Sequence, residues 1–214
     1  MLFKDYKIQE FVNELASDAP SPGGGSTAAF VGALAGCLNN MVYSLTINKK
    51  SFEILTEEKK QEMIKFENEC NNFISNCVNF MEEDRTCFNN LMKCYKLPKN
   101  TDEEKEYRKS ELKAKTYEAM ISPLKVCREC IKFYENIEFA IKYGNKMLIS
   151  DAGVSASLLH SAIESSIINV KVNLNSLKDE EYFDEIKLEL EDILNKSKEY
   201  KNKILKDVNN YIFS

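Results

Sequence analysis

From Met63 to Tyr95 apolar side chains return at helical spacing without a break, through Phe66, Cys70, Phe73, Cys77 and Leu91. Residues three, four and seven apart share one face of an α-helix. The stripe therefore predicts one amphipathic helix from Thr56, with Glu57 and Glu58 in its first turn, to the stop at Leu97-Pro98. Roughly 40 residues at 1.5 Å each make a rod about 60 Å long. The remaining chain reads the same way. Ile8, Phe11, Val12 and Leu15 predict a short amphipathic helix, and Ser26 to Thr46 predicts a helix apolar nearly all round, hence central. Thr101-Asp-Glu-Glu104 is a capping box for the next helix, which Pro123 should kink or break and which Gly144 should end as a C′ glycine. Further helices are expected from Ser150 to about Leu174 and from about Asp179 to Ile212. Strand-like alternation is missing throughout. Long helices joined by short links imply an all-α bundle, most simply one domain over residues 1–214.

Charge narrows the partners. The formal net charge of −5 argues against nucleic acid as the main partner. No residue from Ala19 to Asn48 is charged, although 29% of the chain is. The strongly apolar part of that stretch is only Ala28 to Leu38, far short of the roughly 20 residues that cross a bilayer. No signal-peptide pattern opens the chain. These features predict a cytoplasmic protein with no membrane partner. The seven cysteines suit neither a disulfide framework nor a zinc site. Cys70 and Cys77 fall on the apolar stripe, Cys127 and Cys130 form a lone CxxC within a helix, and His160 is the single histidine. His160 sits in an apolar helix, which favours a satisfied, partly buried imidazole over a general base. No metal site is expected.

The segment Pro20-Ser-Pro-Gly-Gly-Gly-Ser26 leads straight into the uncharged helix. A helix start presents unpaired N–H groups and the positive end of the helix dipole. Glycines there let a polar or anionic ligand approach those groups. The alternative is a tight turn with Ser26 as a plain N-cap. No Gly-Lys-Ser/Thr follows and no strand precedes, so neither a P-loop nor a dinucleotide fingerprint fits.

Seven blocks, taken in order, resemble one family. They include Phe11-Val-Asn-Glu-Leu-Ala-Ser-Asp-Ala-Pro20, Pro22-Gly-Gly-Gly-Ser26 with Gly32-Ala-Leu-Ala35, and Met41-Val42 with Leu45-Thr46. Next come Glu83-Asp84 and Tyr95-Lys-Leu-Pro-Lys99. The last are Ile149-Ser-Asp-Ala-Gly-Val154 and Asn169-Val-Lys-Val-Asn173 with Ser176-Leu-Lys-Asp179. The chain resembles the formimidoyltetrahydrofolate cyclodeaminase / methenyltetrahydrofolate cyclohydrolase family over nearly its whole length. One departure is Asn48, where such proteins often place glycine before the lysines.

The resemblance implies an all-helical homodimer acting on a tetrahydrofolate one-carbon adduct, with no cofactor beyond that substrate and with a formiminotransferase as a possible partner. In the cyclodeaminase reaction N10 attacks the N5-formimino carbon and ammonia leaves; in the cyclohydrolase reaction water attacks the methenyl carbon. Either needs a carboxylate and proton transfer, with positioning supplying much of the rest. A folate-binding or protein-binding helical dimer without turnover is the reading from another class. Asp151 is the first candidate carboxylate, against a plain first-turn Asp complementing the dipole. Asp84 is the second, against a solvated charge beside Glu83 and Arg85. Gly24, Gly25, Ser26 and Ser150 are candidate substrate contacts. Asn169 and Asn173, at i and i+4, could bind the pterin edge or form structural polar pairs. Lys49, Lys50 and Lys99 could meet the folate glutamate carboxylates or simply face solvent. Asp151 and Asn169 lie about 27 Å apart on one helix. A site using both would have to be shared across an antiparallel two-fold, with Ala28, Gly32 and Gly36 as a second surface for close packing.

Overall fold

The computed structural model describes residues 1–213, and among them every regular element is helical. Seven α-helices follow in chain order: α1 Ile8–Leu15, α2 Gly24–Ser44, α3 Lys50–Glu53, α4 Glu57–Tyr95, α5 Asp102–Tyr143, α6 Ile149–Leu174 and α7 Phe183–Ile212. Short 3-10 turns precede α1 and flank α6. The apolar stripe of α4 forms a single helix whose Thr56 side chain accepts from the Lys59 N–H, and Thr101 and Glu104 complete the capping box of α5. The four-residue α3, within the loop after α2, is too short to leave a periodic signature and was not expected.

α2 is the central rod. It packs most extensively against α6 and α4, with α5 behind, while α6 also lies on α5 and α7. Its lack of charge follows from this position. A Cβ at Gly32 would meet Cys77 Sγ at 3.2 Å and Cys130 Sγ at 3.4 Å, and one at Gly36 would press on Ile74 and Phe73. The Ala28, Gly32 and Gly36 face is thus spent inside the subunit on α4, α5 and α6, and does not serve as a surface between subunits. Deeper along α2, Asn39 donates to Asn136 Oδ1 at 2.6 Å, and Asn136 donates to the Phe66 carbonyl at 2.9 Å. This buried amide pair fixes the register of α2, α4 and α5.

Three local expectations are corrected. α5 runs through Pro123 without ending. A proline removes the N–H that would reach the carbonyl four residues back, here Ala119, and Asn173 of α6 donates to that carbonyl at 2.9 Å instead. Gly144 is the C-cap residue with extended backbone, φ −74° and ψ 171°, rather than a left-handed C′ glycine. It is glycine because a Cβ would collide with the Ala140 carbonyl and Val42. α2 begins at Gly24 with Gly23 as its N-cap, so Ser26 is the third helical residue and not the cap. Asn48 adopts φ 62°, the left-handed conformation that asparagine tolerates best after glycine.

Cys70, Cys77, Cys127 and Cys130 are buried free thiols. Burial raises Cys70 and Cys127 to about 12, so neither supplies a thiolate near neutral pH. His160 is buried, with Nδ1 2.7 Å from Ser197 Oγ across the α6–α7 contact; desolvation lowers its pKa. Among the described residues no helix is long and apolar enough to cross a membrane.

Candidate functional site

The first turn of α2 is pinned by a residue 58 positions away. Asp84 of α4 accepts from the Ser26 N–H at 2.8 Å, and the Ser26 hydroxyl lies 2.8 Å from the same carboxylate oxygen. Gly25 permits this approach, since a Cβ there would sit on the Asp84 carboxylate. A Cβ at Gly24 would lie 3.1 Å from Asn169 Oδ1 of α6. The glycines therefore let two polar side chains from different helices close on one helix N-terminus. The Gly24 and Gly25 N–H groups, which precede the first intrahelical bonds, find no acceptor among the described residues.

These groups border a cavity of about 350 Å3, the lower part of the range for small-ligand sites. Asp84, Asn169, Asn173 and Thr116 provide polar edges, and Phe88, Leu91, Met92, Tyr95 and Val172 provide apolar wall. Burial raises the pKa of Asp84, and the two Ser26 hydrogen bonds oppose that shift only in part. The Ser26 hydroxyl is also 3.1 Å from the Met81 carbonyl. It can give its single proton to the ionised Asp84, or take a hydrogen bond from protonated Asp84 and pass its own to Met81. Both protonation states of Asp84 are thus accommodated without a change of fold, as a proton-transfer residue requires.

Asn169 and Asn173 each have a structural bond that sequence alone left open. The Asn169 amide donates to the Ser165 carbonyl at 2.8 Å, and the Asn173 amide is committed to Ala119. Both remain on the cavity wall, where their Oδ1 atoms face no protein donor among the described residues. Lys99 lines a second, basic cavity of about 590 Å3 that shares Tyr95, Thr116 and Ser176 with the first. Arg108, Lys109 and Lys113 stand on the same cavity. Lys113 pairs with Glu180 at 2.7 Å, whereas Lys99 and Lys109 meet no carboxylate among the described residues. Arg108 Nε is buried with no acceptor there. Thr116 and this basic face were missed in the sequence, although Lys105, Lys109 and Lys113 at i, i+4 and i+8 mark one face of α5.

Lys49, Lys50, Ser150 and Asp151 are not brought to the cavity. Lys49 and Lys50 lie beyond the C-terminal end of α2, and Ser150 and Asp151 in the first turn of α6, about 27 Å along that helix from Asn169. Among the described residues, no three His, Cys, Asp or Glu side chains are grouped to hold a metal.

The formiminotransferase-cyclodeaminase family model matches residues 7–192. The chain belongs to that family. A methenyltetrahydrofolate cyclohydrolase of Methylorubrum extorquens is 36% identical over 187 residues, 87% of this chain and 88% of that protein. A formimidoyltransferase-cyclodeaminase of Rattus norvegicus is 27% identical over 91% of this chain but only 35% of its own length, so this chain spans about a third of that relative. The crystal structure of a formiminotetrahydrofolate cyclodeaminase from Thermotoga maritima superposes with a TM-score of 0.78 at 25% identity, covering 97% of this chain and 96% of that one. Membership in this family makes the chain an enzyme acting on folate one-carbon groups.

Proposed function

We propose that the protein is a formimidoyltetrahydrofolate cyclodeaminase, closing the N5-formimino group onto N10 to give 5,10-methenyltetrahydrofolate and ammonia. The observation that carries this reading is the buried Asp84 carboxylate, its pKa raised, held at the glycine-lined start of α2 beside a cavity of ligand size. In this reading N10 attacks the carbon of the protonated amidine, the N10 proton passes to the departing nitrogen, and that nitrogen goes as ammonia, its C–N bond breaking to leave the methenyl cation. Asp84 holds or moves these protons and, when ionised, steadies the cationic carbon. The Asn169 and Asn173 oxygens and the Gly24 and Gly25 N–H groups meet the donor and acceptor edge of the pterin. The glutamate end extends into the neighbouring basic cavity, toward Lys99, Lys109 and Arg108. Every step is proton transfer and positioning, so neither metal nor cofactor beyond the tetrahydrofolate substrate is invoked.

A second reading, methenyltetrahydrofolate cyclohydrolase, is favoured by the 36% identical relative of that name. There the same carboxylate would activate water against the methenyl carbon. The protein in this proposal is a single cytoplasmic domain, a homodimer, and one able to work with a formiminotransferase. Absorbance at the methenyltetrahydrofolate band separates the readings. The band grows from the formimino substrate with a deaminase, decays faster from the methenyl compound with a hydrolase, and is unaffected if the protein only binds.

A further inference from the structure

Two asparagine amides on the cavity wall have their orientation decided by backbone carbonyls. Only an N–H can face a carbonyl oxygen, so each amide turns Nδ2 to its carbonyl and leaves Oδ1 for the cavity. For Asn169 the carbonyl is that of Ser165, at 2.8 Å. For Asn173 it is that of Ala119 on α5, at 2.9 Å, with the Asn169 carbonyl at 3.3 Å. Pro123 makes the second orientation firm. An ordinary residue at 123 would bring its own N–H to the Ala119 carbonyl; proline brings none, and the carbonyl is left to Asn173. Flipping either amide would set oxygen against oxygen and forfeit the bond. The helix start opposite has the reverse polarity. There the Gly24 and Gly25 N–H groups are donors without an acceptor among the described residues.

These groups stand in a fixed order. α6 runs antiparallel to α2, with Ser155 donating to the Ala35 carbonyl and Asn169 set against Gly24. Asn173 lies one turn beyond Asn169, past the start of α2. Gly25 lies against Asp84. Along the wall the cavity therefore offers acceptor, acceptor, donor and carboxylate: Asn173, Asn169, the Gly24 and Gly25 N–H groups, and Asp84. A 2-amino-4-oxopteridine carries the complement along one edge. Its order is 2-amino donor, N3–H donor, O4 acceptor, and then N5, peri to that oxygen.

We propose that the cavity holds the pterin by this edge in a single register, with the 2-amino group on Asn173 Oδ1, N3–H on Asn169 Oδ1 and O4 on the Gly24 and Gly25 N–H groups, and that Pro123 is a positioning residue for Asn173. The proposal rests on the assignment of the Asp84 cavity as the folate site, and it adds how that site selects and aims its substrate. The register delivers N5, with its one-carbon group, to Asp84. A ring turned end for end sets its 2-amino donor against the Gly24 N–H and carries N5 away from the carboxylate. The same arrangement rejects a 4-amino ring, in which O4 becomes a donor and N3 an acceptor. Donor then meets donor at Gly24, and acceptor meets acceptor at Asn169. Neither amide can turn to adapt, because its carbonyl holds it.

The register is tested without turnover, by calorimetric titration of the unaltered protein with tetrahydrofolate, its 4-amino-4-deoxy analogue and its 2-deamino analogue. Tetrahydrofolate should bind about 10-fold or more tightly than either analogue, given the cost of a desolvated polar group left unpaired. Asn169→Leu removes the reader of N3–H, so it should narrow the 4-amino gap by about threefold or more and leave the 2-deamino gap in place. Pro123→Ala gives the Ala119 carbonyl a competing donor, so it should narrow the 2-deamino gap and leave the 4-amino gap in place. A merely structural proline would move neither ratio. Equal binding of tetrahydrofolate and the 4-amino analogue, or an undiminished preference in Asn169→Leu, overturns the register and leaves the folate assignment standing. An unchanged 2-deamino ratio in Pro123→Ala overturns the positioning role of that proline. Absence of any tetrahydrofolate binding to the unaltered protein overturns the folate assignment, and the register with it.

Discussion

Asp84 decides the character of the site. Within Glu82-Glu83-Asp84-Arg85 it looks like one of several solvated charges on α4, yet Gly25 allows the α2 N-terminus to close over it and desolvate it. Burial raises its pKa above the ordinary 3.8, so the native state binds this proton more tightly than the unfolded chain does. The contribution of Asp84 to stability is therefore full below the unfolded value and is lost as pH rises through the folded one. Asp84→Asn should leave thermal stability at pH 8 equal to or above the unaltered protein, with that relative gain shrinking toward pH 4. A marked loss of melting temperature at pH 8 would show that the ionised carboxylate holds the fold together, contrary to this account. The Ser26 bonds and the Gly25 contact join residues 58 and 59 positions apart, and no periodicity or spacing in the sequence reveals such a pairing. Only the resemblance to the family marked Asp84, while the glycines signalled a close approach without naming what approached.

The helices themselves were legible because their faces are strongly contrasted. α1 and the stripes of α4 and α5 follow the apolar spacing of the sequence, and the Thr56 and Thr101 caps fix the starts of α4 and α5. What local signals could not show is how one helix completes another. Pro123 reads as a break, and α5 survives it because Asn173 supplies the donor that proline lacks. Asn173→Ala should leave the Ala119 carbonyl without a protein donor and cost about 1–3 kcal/mol by denaturant unfolding. Pro123→Ala restores an N–H at that position, so in the Asn173→Ala background it should recover most of the loss. Strict additivity of the two substitutions in a double-mutant cycle would contradict the mutual role.

At the scale of the molecule, the fold sets a small, half-polar cavity between α2, α4, α5 and α6, beside a basic cavity on the outer part of α5. The division predicts separable kinetics. Lys99→Ala with Lys109→Ala should raise KM by about 3- to 10-fold, given the modest worth of exposed ion pairs, and leave kcat within about twofold. A fall in kcat with KM unchanged would place those lysines at the chemistry and not at the substrate's anionic end. The central claim is that the Asp84 cavity is where the one-carbon bridge reacts. The most direct measurement is the kcat of Asp84→Asn on the methenyl absorbance band, alongside evidence that the variant is folded. The account predicts a loss of about 100- to 10,000-fold in kcat with tetrahydrofolate binding retained. A folded Asp84→Asn protein that turns over at more than about a third of the original rate, far above that range, would contradict it.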